Sequence, residues 1–417
     1  MTQNEALEIM KSGNNVFLTG PAGSGKTFLL NKYIEHLKKQ NINHGVTAST
    51  GIAATHLNGR TIHSWCGMKI AENMTDSQIK ELCRNDRLQD RISDAKTLII
   101  DEVSMLNANR LDLVDKICKA FKKNSLPFGG IQVILCGDFF QLPPVVTTSK
   151  DDGRFVTESS IWQEMDIKIC YLEEQYRQED KALLGVLNDI RNNTADLMTR
   201  HILRGRFNKP IESKIKPTKL HTHNSDVDAY NLSELEKLKD KEHVFEMRSE
   251  GNPRVIEELK KYCLAPERLA LKKEAVVMFL KNNFDRGYVN GTIGIVKGFD
   301  KDSGCPLIET LQGDEIIAFP EKWTIDDGKK VFASIHQVPL RLAWAITVHK
   351  SQGMSLDCAE IDLSKTFEYG MGYVALSRVR SLAGIRLTGL NDMALKVSNK
   401  VVELDKYLRQ KSLNCAE

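Results

Sequence analysis

The stretch GPAGSGKT, Gly20 to Thr27, constrains this chain more than any other eight residues. It fits the pattern G-x-x-x-x-G-K-[ST]. The run NVFLT before it (Asn15 to Thr19) reads as an apolar strand, and the residues from Lys26 to about Lys39 read as a helix. A strand, a glycine-rich turn and a helix in that order form a phosphate-cradling loop, where backbone N–H groups and the positive helix end converge on anionic oxygens. Gly20, Ala22, Gly23, Ser24, Gly25, Lys26 and Thr27 are therefore the expected nucleotide contacts. Lys26 is placed to span the β- and γ-phosphates, and the Thr27 hydroxyl to bind Mg²⁺.

Two further apolar runs end in the polar groups that such a loop needs. TLIIDE (Thr97 to Glu102) closes on an acidic pair, with Asp101 read as an outer ligand of the metal and Glu102 as the general base for water. IQVILCGD (Ile131 to Asp138) runs on into FFQLPPV, which puts Gln141 at the tip of a strand beside the one carrying Asp101. From there Gln141 can reach a γ-phosphate or the attacking water. Phe139, Phe140, Leu142, Pro143 and Pro144 are expected on the adjoining surface. HGVTA (His44 to Ala48) supplies another strand. Between Asn109 and Asn124, Leu111, Val114, Ile117, Cys118 and Phe121 mark one helical stripe, expected to pack on the sheet. Continuous apolar strands alternating with helices predict an α/β domain whose parallel sheet is covered on both faces.

The 417 residues allow two or three domains. A second α/β pattern starts near Ile167 with KICYLEEQYR, LLGVLNDIRNN and TKLHTHN, and resumes near Arg341 with RLAWAITVHKSQG, CAEIDLS, MGYVALSRVR and GIRLTGL. Between these, LALKKEAVVMFLKNN and YVNGTIGIVKGFDKDSG show strands joined by Asn-Gly and Asp-Ser-Gly turns, which predicts a small β-barrel inserted into the second α/β domain. No run approaches the ~18 apolar residues of a membrane span. The net charge of +3 is too near neutral to demand a polyanionic partner, although a groove can still be locally basic. Nine scattered cysteines with no Cys-x-x-Cys spacing are expected to be reduced thiols. The opening residues carry neither a signal core nor a transit pattern, so a cytoplasmic, bacterial-type location is expected. From the residues alone several phosphate-loop classes stay open. Small-molecule kinases come first, although they need a lid and an acceptor site rather than a second α/β domain.

In order and spacing, GPAGSGKT, VTASTGIAATHLNGRTIHSW, LIIDEVSML, PFGGIQVILCGDFFQLPPV, EEQYRQ, TVHKSQG and YVALSRVRSLAGIRL resemble the ordered motifs of superfamily 1 helicases. The stretch from Asn109 through Val145 resembles the signature of the petite-integration-frequency (PIF) DNA helicases in particular. The resemblance runs from Gln3 to about Leu390. It implies an α/β fold of two RecA-like parallel-sheet domains. The first would span residues 1–172, with a small wedge insertion at about 55–75, and the second residues 173–235 and 338–417. A Src-homology-3-like β-barrel would occupy residues 236–337. The implied activity is ATP-dependent unwinding of duplex or structured DNA by a motor that moves 5′ to 3′ on single-stranded DNA, using ATP and Mg²⁺. The implied partners are single strands and their junctions with duplex, with no membrane. The implied state is a monomer in free solution, and the implied settings are DNA repair, recombination, replication or telomere maintenance.

By likeness to these motifs, Gln3 would read the adenine, Arg177 and Arg378 would close on the γ-phosphate, and Gln352 and Gly353 would approach the phosphates from the second domain. The implied DNA contacts are Thr50, Gly51, His63, Trp65, Phe139, Pro143, Asn224, Asn290, Thr347, His349 and Lys350. They mix backbone-tracking donors with flat side chains, as non-specific single-strand binders do. His63 and Trp65 fall in the wedge, where Trp65 fits core packing as well as base stacking. Glu274 stands where the family is expected to have a glycine, a departure that bears on local barrel geometry and not on the motor. No long extension flanks the match, so a bare core is expected. Two rivals remain: the motor subunit of a recombination nuclease, and a nucleotide-gated module that holds DNA without moving.

Overall fold

The computed structural model describes residues 1–68, 73–144, 154–176, 180–212, 217–222, 227–326 and 331–413. The chain separates into two compact units, residues 1–176 with 325–332 and 403–417, and residues 177–324 with 333–402.

The first unit is built on a six-stranded parallel sheet. Its strands are β1 (Asn15–Thr19), β2 (His44–Ala48), β3 (Arg60–Thr61), β4 (Thr97–Asp101), β5 (Gln132–Cys136) and β6 (Ile167–Tyr171). They lie in the spatial order β3-β2-β4-β5-β1-β6. Its first seven helices are α1 (Gln3–Lys11), α2 (Lys26–Lys39), α3 (Gly51–His56), α4 (Ile62–Cys66), α5 (Asp76–Leu82), α6 (Asp86–Asp94) and α7 (Ala108–Lys122). Alternation along β1 sorts the core into two layers. Val16 and Leu18 join Ala6 and Met10 of α1 and Leu29, Leu30, Tyr33 and Ile34 of α2. Phe17 faces the other way, its ring centroid 5.4 Å from that of Phe139 and 5.2 Å from that of Trp162. The stripe Leu111, Val114, Ile117, Cys118 and Phe121 of α7 is buried, as its spacing predicts. Each such side chain contributes about 1.5–3 kcal/mol on burial.

The second unit holds a four-stranded parallel sheet in the order Ala345–Thr347, Thr218–His221, Ala359–Leu363, Ile385–Leu390. Inserted in it is a five-stranded antiparallel sheet, Glu315–Ile317, Pro306–Thr310, Ile293–Phe299, Val276–Phe279 and Leu340–Leu342. The α/β class and the β insertion are thus both present. All eight cysteines among the described residues are free thiols. The boundaries differ from the sequence reading: the first unit ends at 176 rather than 172, and residues 325–332, expected in the barrel, cluster with it. The sequence reading places the chain's end in the second parallel-sheet domain, but the closing helix (Asn399–Leu413) clusters with the first unit from Glu403 on. Tyr171, the last residue of β6, accounts for this: its hydroxyl donates to Asp405 at 2.8 Å, and its N–H donates to the Ser412 hydroxyl at 3.1 Å.

Glu274 adopts a backbone φ of +68°, held by donation of its N–H to the Val296 carbonyl at 2.7 Å. Glycine visits that region without the Cβ clash that costs other residues about 1–2 kcal/mol. The exposed carboxylate gives in return only a minor attraction for the Lys297 ammonium, which is bonded chiefly to Glu309. Glu274→Gly is therefore expected to stabilise the inserted sheet by about 0.5–1 kcal/mol once the extra chain entropy of glycine is subtracted. In a thermal melt this is a rise of about 2 °C; a lower midpoint would refute the strain argument.

Candidate active site

Strands β4, β5 and β1 are neighbours, and their C-terminal ends carry Asp101, Gln141 and the Gly20–Thr27 loop respectively. Open parallel sheets place ligands at this edge. The loop needs its glycines: Gly20, Gly23 and Gly25 have φ of +146°, +88° and +82°. A Cβ on Gly20 would collide with the Leu172 carbonyl oxygen, and one on Gly25 with the side-chain amide of Gln3. Gln3 Nε2 sits 3.3 Å from the Ser24 carbonyl oxygen, which places this side chain against the loop. Helix α2 begins at Gly25 with no side-chain cap, and the fully buried Ser24 hydroxyl has no hydrogen-bond partner. An uncapped helix start beside an unsatisfied buried hydroxyl fits a phosphate. Lys26 Nζ is held over the loop by the carbonyls of Gly20 (2.9 Å) and Pro21 (3.0 Å). Thr27 is exposed next to it, and Ala22 is buried beneath.

Asp101 is 6% exposed, and burial raises its carboxyl pKa above the ordinary range. The Cys136 thiol, the Glu102 N–H (2.8 Å from Oδ1) and the positive charge of Lys26 oppose that shift. Glu102 has φ of +50°, and its carbonyl accepts from the Ser49 hydroxyl at 2.6 Å. This is a non-glycine residue held left-handed at a strand end, the kind of local strain that gathers at functional sites. Gln141 donates its N–H to the Asp138 carbonyl at 3.0 Å, and its Nε2 makes a long contact of 3.4 Å with Asp138 Oδ2. Its Oε1 is buried with no hydrogen-bond partner. Sequence reasoning passes over Asp138, which also accepts the Phe140 N–H at 3.2 Å. The only signal for it is an acid that ends a strand after glycine. Among the described residues, no three His, Cys, Asp or Glu side chains form a protein-only metal cluster.

The DNA candidates divide by burial. Phe139, Phe140 and Leu142 are buried rather than on the adjoining surface, and Phe139 packs 5.3 Å from Phe155 as well as against Phe17. Phe139 is therefore a core residue, not a base platform. Pro144 is also buried, while Pro143 is half-buried. Trp65 is 2% exposed and lies where a Cβ on Gly45 of β2 would collide with its indole, so core packing wins there too. His63 is half-buried, and burial, with the charge of Arg110, pushes its pKa down to about 4. Its imidazole is therefore neutral at physiological pH. Gly51 opens α3, and the Thr50 hydroxyl accepts the Ala53 N–H at 3.3 Å.

In the second unit, Thr347 ends a strand at 1% exposure, with its hydroxyl accepting the Lys350 N–H at 3.3 Å. His349 and Lys350 are half-buried, and His349 Nε2 lies 3.9 Å from the Glu368 carboxylate. Gln352 is buried, whereas Gly353 is exposed with φ of +78°. Arg378 is 1% exposed, with Nε donating to the Val374 carbonyl at 2.9 Å and Nη2 to the Ser377 hydroxyl at 2.8 Å. Asn290 is buried in the turn that leads to the strand Ile293–Phe299, and its N–H donates to Asn282 Oδ1 at 2.8 Å. Arg177 and Asn224 lie outside the described residues.

A family model described as PIF1-like helicase matches residues 3–211. The chain is 40% identical to the ATP-dependent DNA helicase Pif1 of Psychrobacter sp. (strain PRwf-1), over 100% of this chain and 72% of that protein. It is 36% identical to the ATP-dependent DNA helicase PIF1 of Homo sapiens, over 98% of this chain and 63% of that one. Among solved structures, Pif1 helicase from Candida albicans superposes with a TM-score of 0.77 at 35% identity, covering 97% of this chain and 98% of that one. Bacteroides sp Pif1 in complex with ADP-AlF4 gives a TM-score of 0.82 at 29% identity, covering 98% and 96%. Bacteroides Pif1 in complex with ADP-AlF3 and ssDNA gives 0.66 at the same identity and coverage.

Proposed function

The chain belongs to the PIF1-like helicase family and is an ATP-dependent DNA helicase, and we propose that it tracks 5′ to 3′ along single-stranded DNA and opens duplex at the junctions it meets. The observation that supports the ATP-driven part of this reading is the arrangement on β4, β5 and β1: a glycine-shaped phosphate loop, an acidic pair, and a buried glutamine whose Oε1 is unsatisfied; the polarity rests on the resemblance. Lys26 neutralises β- and γ-phosphate oxygens. Thr27 and Asp101 would hold Mg²⁺, which would supply positive charge against the phosphate oxygens. Glu102 takes the proton of the attacking water, and Gln141 fills its free acceptor with that water or with a group moving with it. Gln3 reads the adenine. Arg177 and Arg378 are assigned to charge developing on the γ-phosphate, with Gln352 and Gly353 beside the phosphates.

On the DNA side, Thr50, Gly51, His63, Pro143, Asn224, Asn290, Thr347, His349 and Lys350 are assigned to the single strand. Buried Trp65 and Phe139 support this surface from beneath and do not touch bases. Half-buried His63, Pro143, His349 and Lys350 suit a backbone-tracking grip better than a stacking one, while Thr347 and Asn290 are buried. The proposed state is a monomer in free solution.

The test measures ATP hydrolysis with and without single-stranded DNA, beside strand separation on two partial duplexes carrying a 5′ or a 3′ overhang. Stimulated turnover that opens only the 5′-tailed duplex is expected. Opening of only the 3′-tailed duplex would reverse the polarity. Stimulation with neither duplex opened would leave a translocase that does not unwind alone.

A further inference from the structure

The block PFGGIQ, Pro127 to Gln132, has no part in the roles above. Phe128, Gly129 and Gly130 follow one another with φ of +50°, +66° and +81°. The turn is held by Asp115, which accepts the Phe128 N–H at 2.7 Å, and it presses so closely on α7 that a Cβ on Gly129 would lie 2.6 Å from that of Lys122. It delivers Gln132 as the first residue of β5.

The Gln132 amide uses its whole hydrogen-bonding capacity, two donations and two acceptances. Nε2 donates to the carbonyls of Met10 and Asn14, each at 2.8 Å. Oε1 accepts from the Tyr33 hydroxyl at 2.8 Å and the Thr97 hydroxyl at 3.1 Å. One side chain thus joins the last turn of α1, the turn into β1, helix α2 and strand β4. At the other end of α1, Gln3 lies against Ser24 and Gly25 of the phosphate loop. Helix α1 is a rigid lever about 13 Å long, with the amide cluster at one end and Gln3 at the other.

We propose that Gln132 is a positioning residue for nucleotide recognition: by anchoring the C-terminal end of α1 to the start of β5, it sets where the Gln3 amide stands over the phosphate loop. The proposal rests on the reading of Gln3 as the adenine contact. Removing the amide strips one donor from the Asn14 carbonyl and one from the Met10 carbonyl, which keeps the Tyr33 hydroxyl at 3.2 Å, and so loosens the hold on the end of α1.

The experiment uses the full chain with saturating single-stranded DNA. KM and kcat are measured for ATP and for CTP in the wild type, Gln3→Ala, Gln132→Met and the double variant, with thermal melts alongside. Gln132→Met is expected to raise KM for ATP about tenfold while KM for CTP and kcat hold, and the double variant to be no worse than Gln3→Ala alone. A rise in KM for both nucleotides alike, or a lowered melting point with nucleotide preference intact, would overturn the positioning role and leave Gln3 as the adenine contact. Unchanged preference in Gln3→Ala would overturn the adenine reading and this inference with it. If Gln132→Met does not fold, Tyr33→Phe removes one hydroxyl from the cluster at nearly constant volume. It is expected to raise KM for ATP alone by about threefold, and an equal rise for CTP would be the overturning result.

Discussion

Lys26→Ala is expected to lower DNA-stimulated ATP hydrolysis by about 10³-fold or more, while affinity for single-stranded DNA stays within a few-fold of wild type. The ammonium is the one side-chain cation in the phosphate loop, and among the described residues its hydrogen bonds go to the Gly20 and Pro21 carbonyls. Truncation therefore removes charge from the site without breaking a core contact, and the variant should melt near the wild-type temperature. Phosphoryl transfer depends on positioning and charge stabilisation far more than on covalent chemistry from the protein, which is why one cation can carry so large a factor. Turnover and fluorescence anisotropy on a labelled strand measure the two quantities separately. Retention of a tenth of wild-type turnover would mean that the loop is not the catalytic phosphate site.

The second large effect is expected at Gln141. In Gln141→Ala, nucleotide affinity should hold within about twofold while DNA-stimulated turnover falls about 10²-fold, the usual cost of losing one preorganised polar group. The basis is a side chain buried at 6% exposure whose Oε1 has no partner and whose Nε2 holds Asp138 only at 3.4 Å. A buried polar atom left unsatisfied costs free energy, and an arrangement that keeps one points to a partner that arrives later. Leu142 and Pro144, both buried, clamp the backbone directly after Gln141, so a shift there would be passed on rather than absorbed. Full stimulation by DNA in Gln141→Ala would end the idea that this residue couples the two ligands.

The phosphate loop, the acidic pair and the glutamine were all legible in the sequence, because each is tied to a strand end or to a backbone shape that few residues can adopt. Gly20, Gly23 and Gly25 are needed for their φ values, and Asp101, Glu102 and Gln141 follow directly on apolar runs. The aromatic candidates were not legible. Phe139 and Trp65 have the flat surface of a stacking platform and the apolar area of a core residue, and only the partners on the far side of the sheet decide between them. Nor could spacing reveal Gln132, whose four partners lie 35 to 122 positions away in the chain. The placement of the closing helix rests on Tyr171, more than 230 positions earlier, which no local pattern encodes.

The order of strands in the first unit, β3-β2-β4-β5-β1-β6, also separates two kinds of work. The phosphate loop, Asp101, Glu102 and Gln141 follow three central strands, where a neighbour on each side fixes the backbone. The segment from Gly51 to Asp94, which holds the wedge candidate His63, hangs instead from β2 and β3 at one margin. A margin tolerates longer or shorter connections, because nothing beyond it must stay in register. A change in the length of a connection within residues 51–94 is therefore expected to leave the phosphate loop and the acidic pair in place, provided that Ile62, Trp65 and Ile92 stay buried against the rest of the unit.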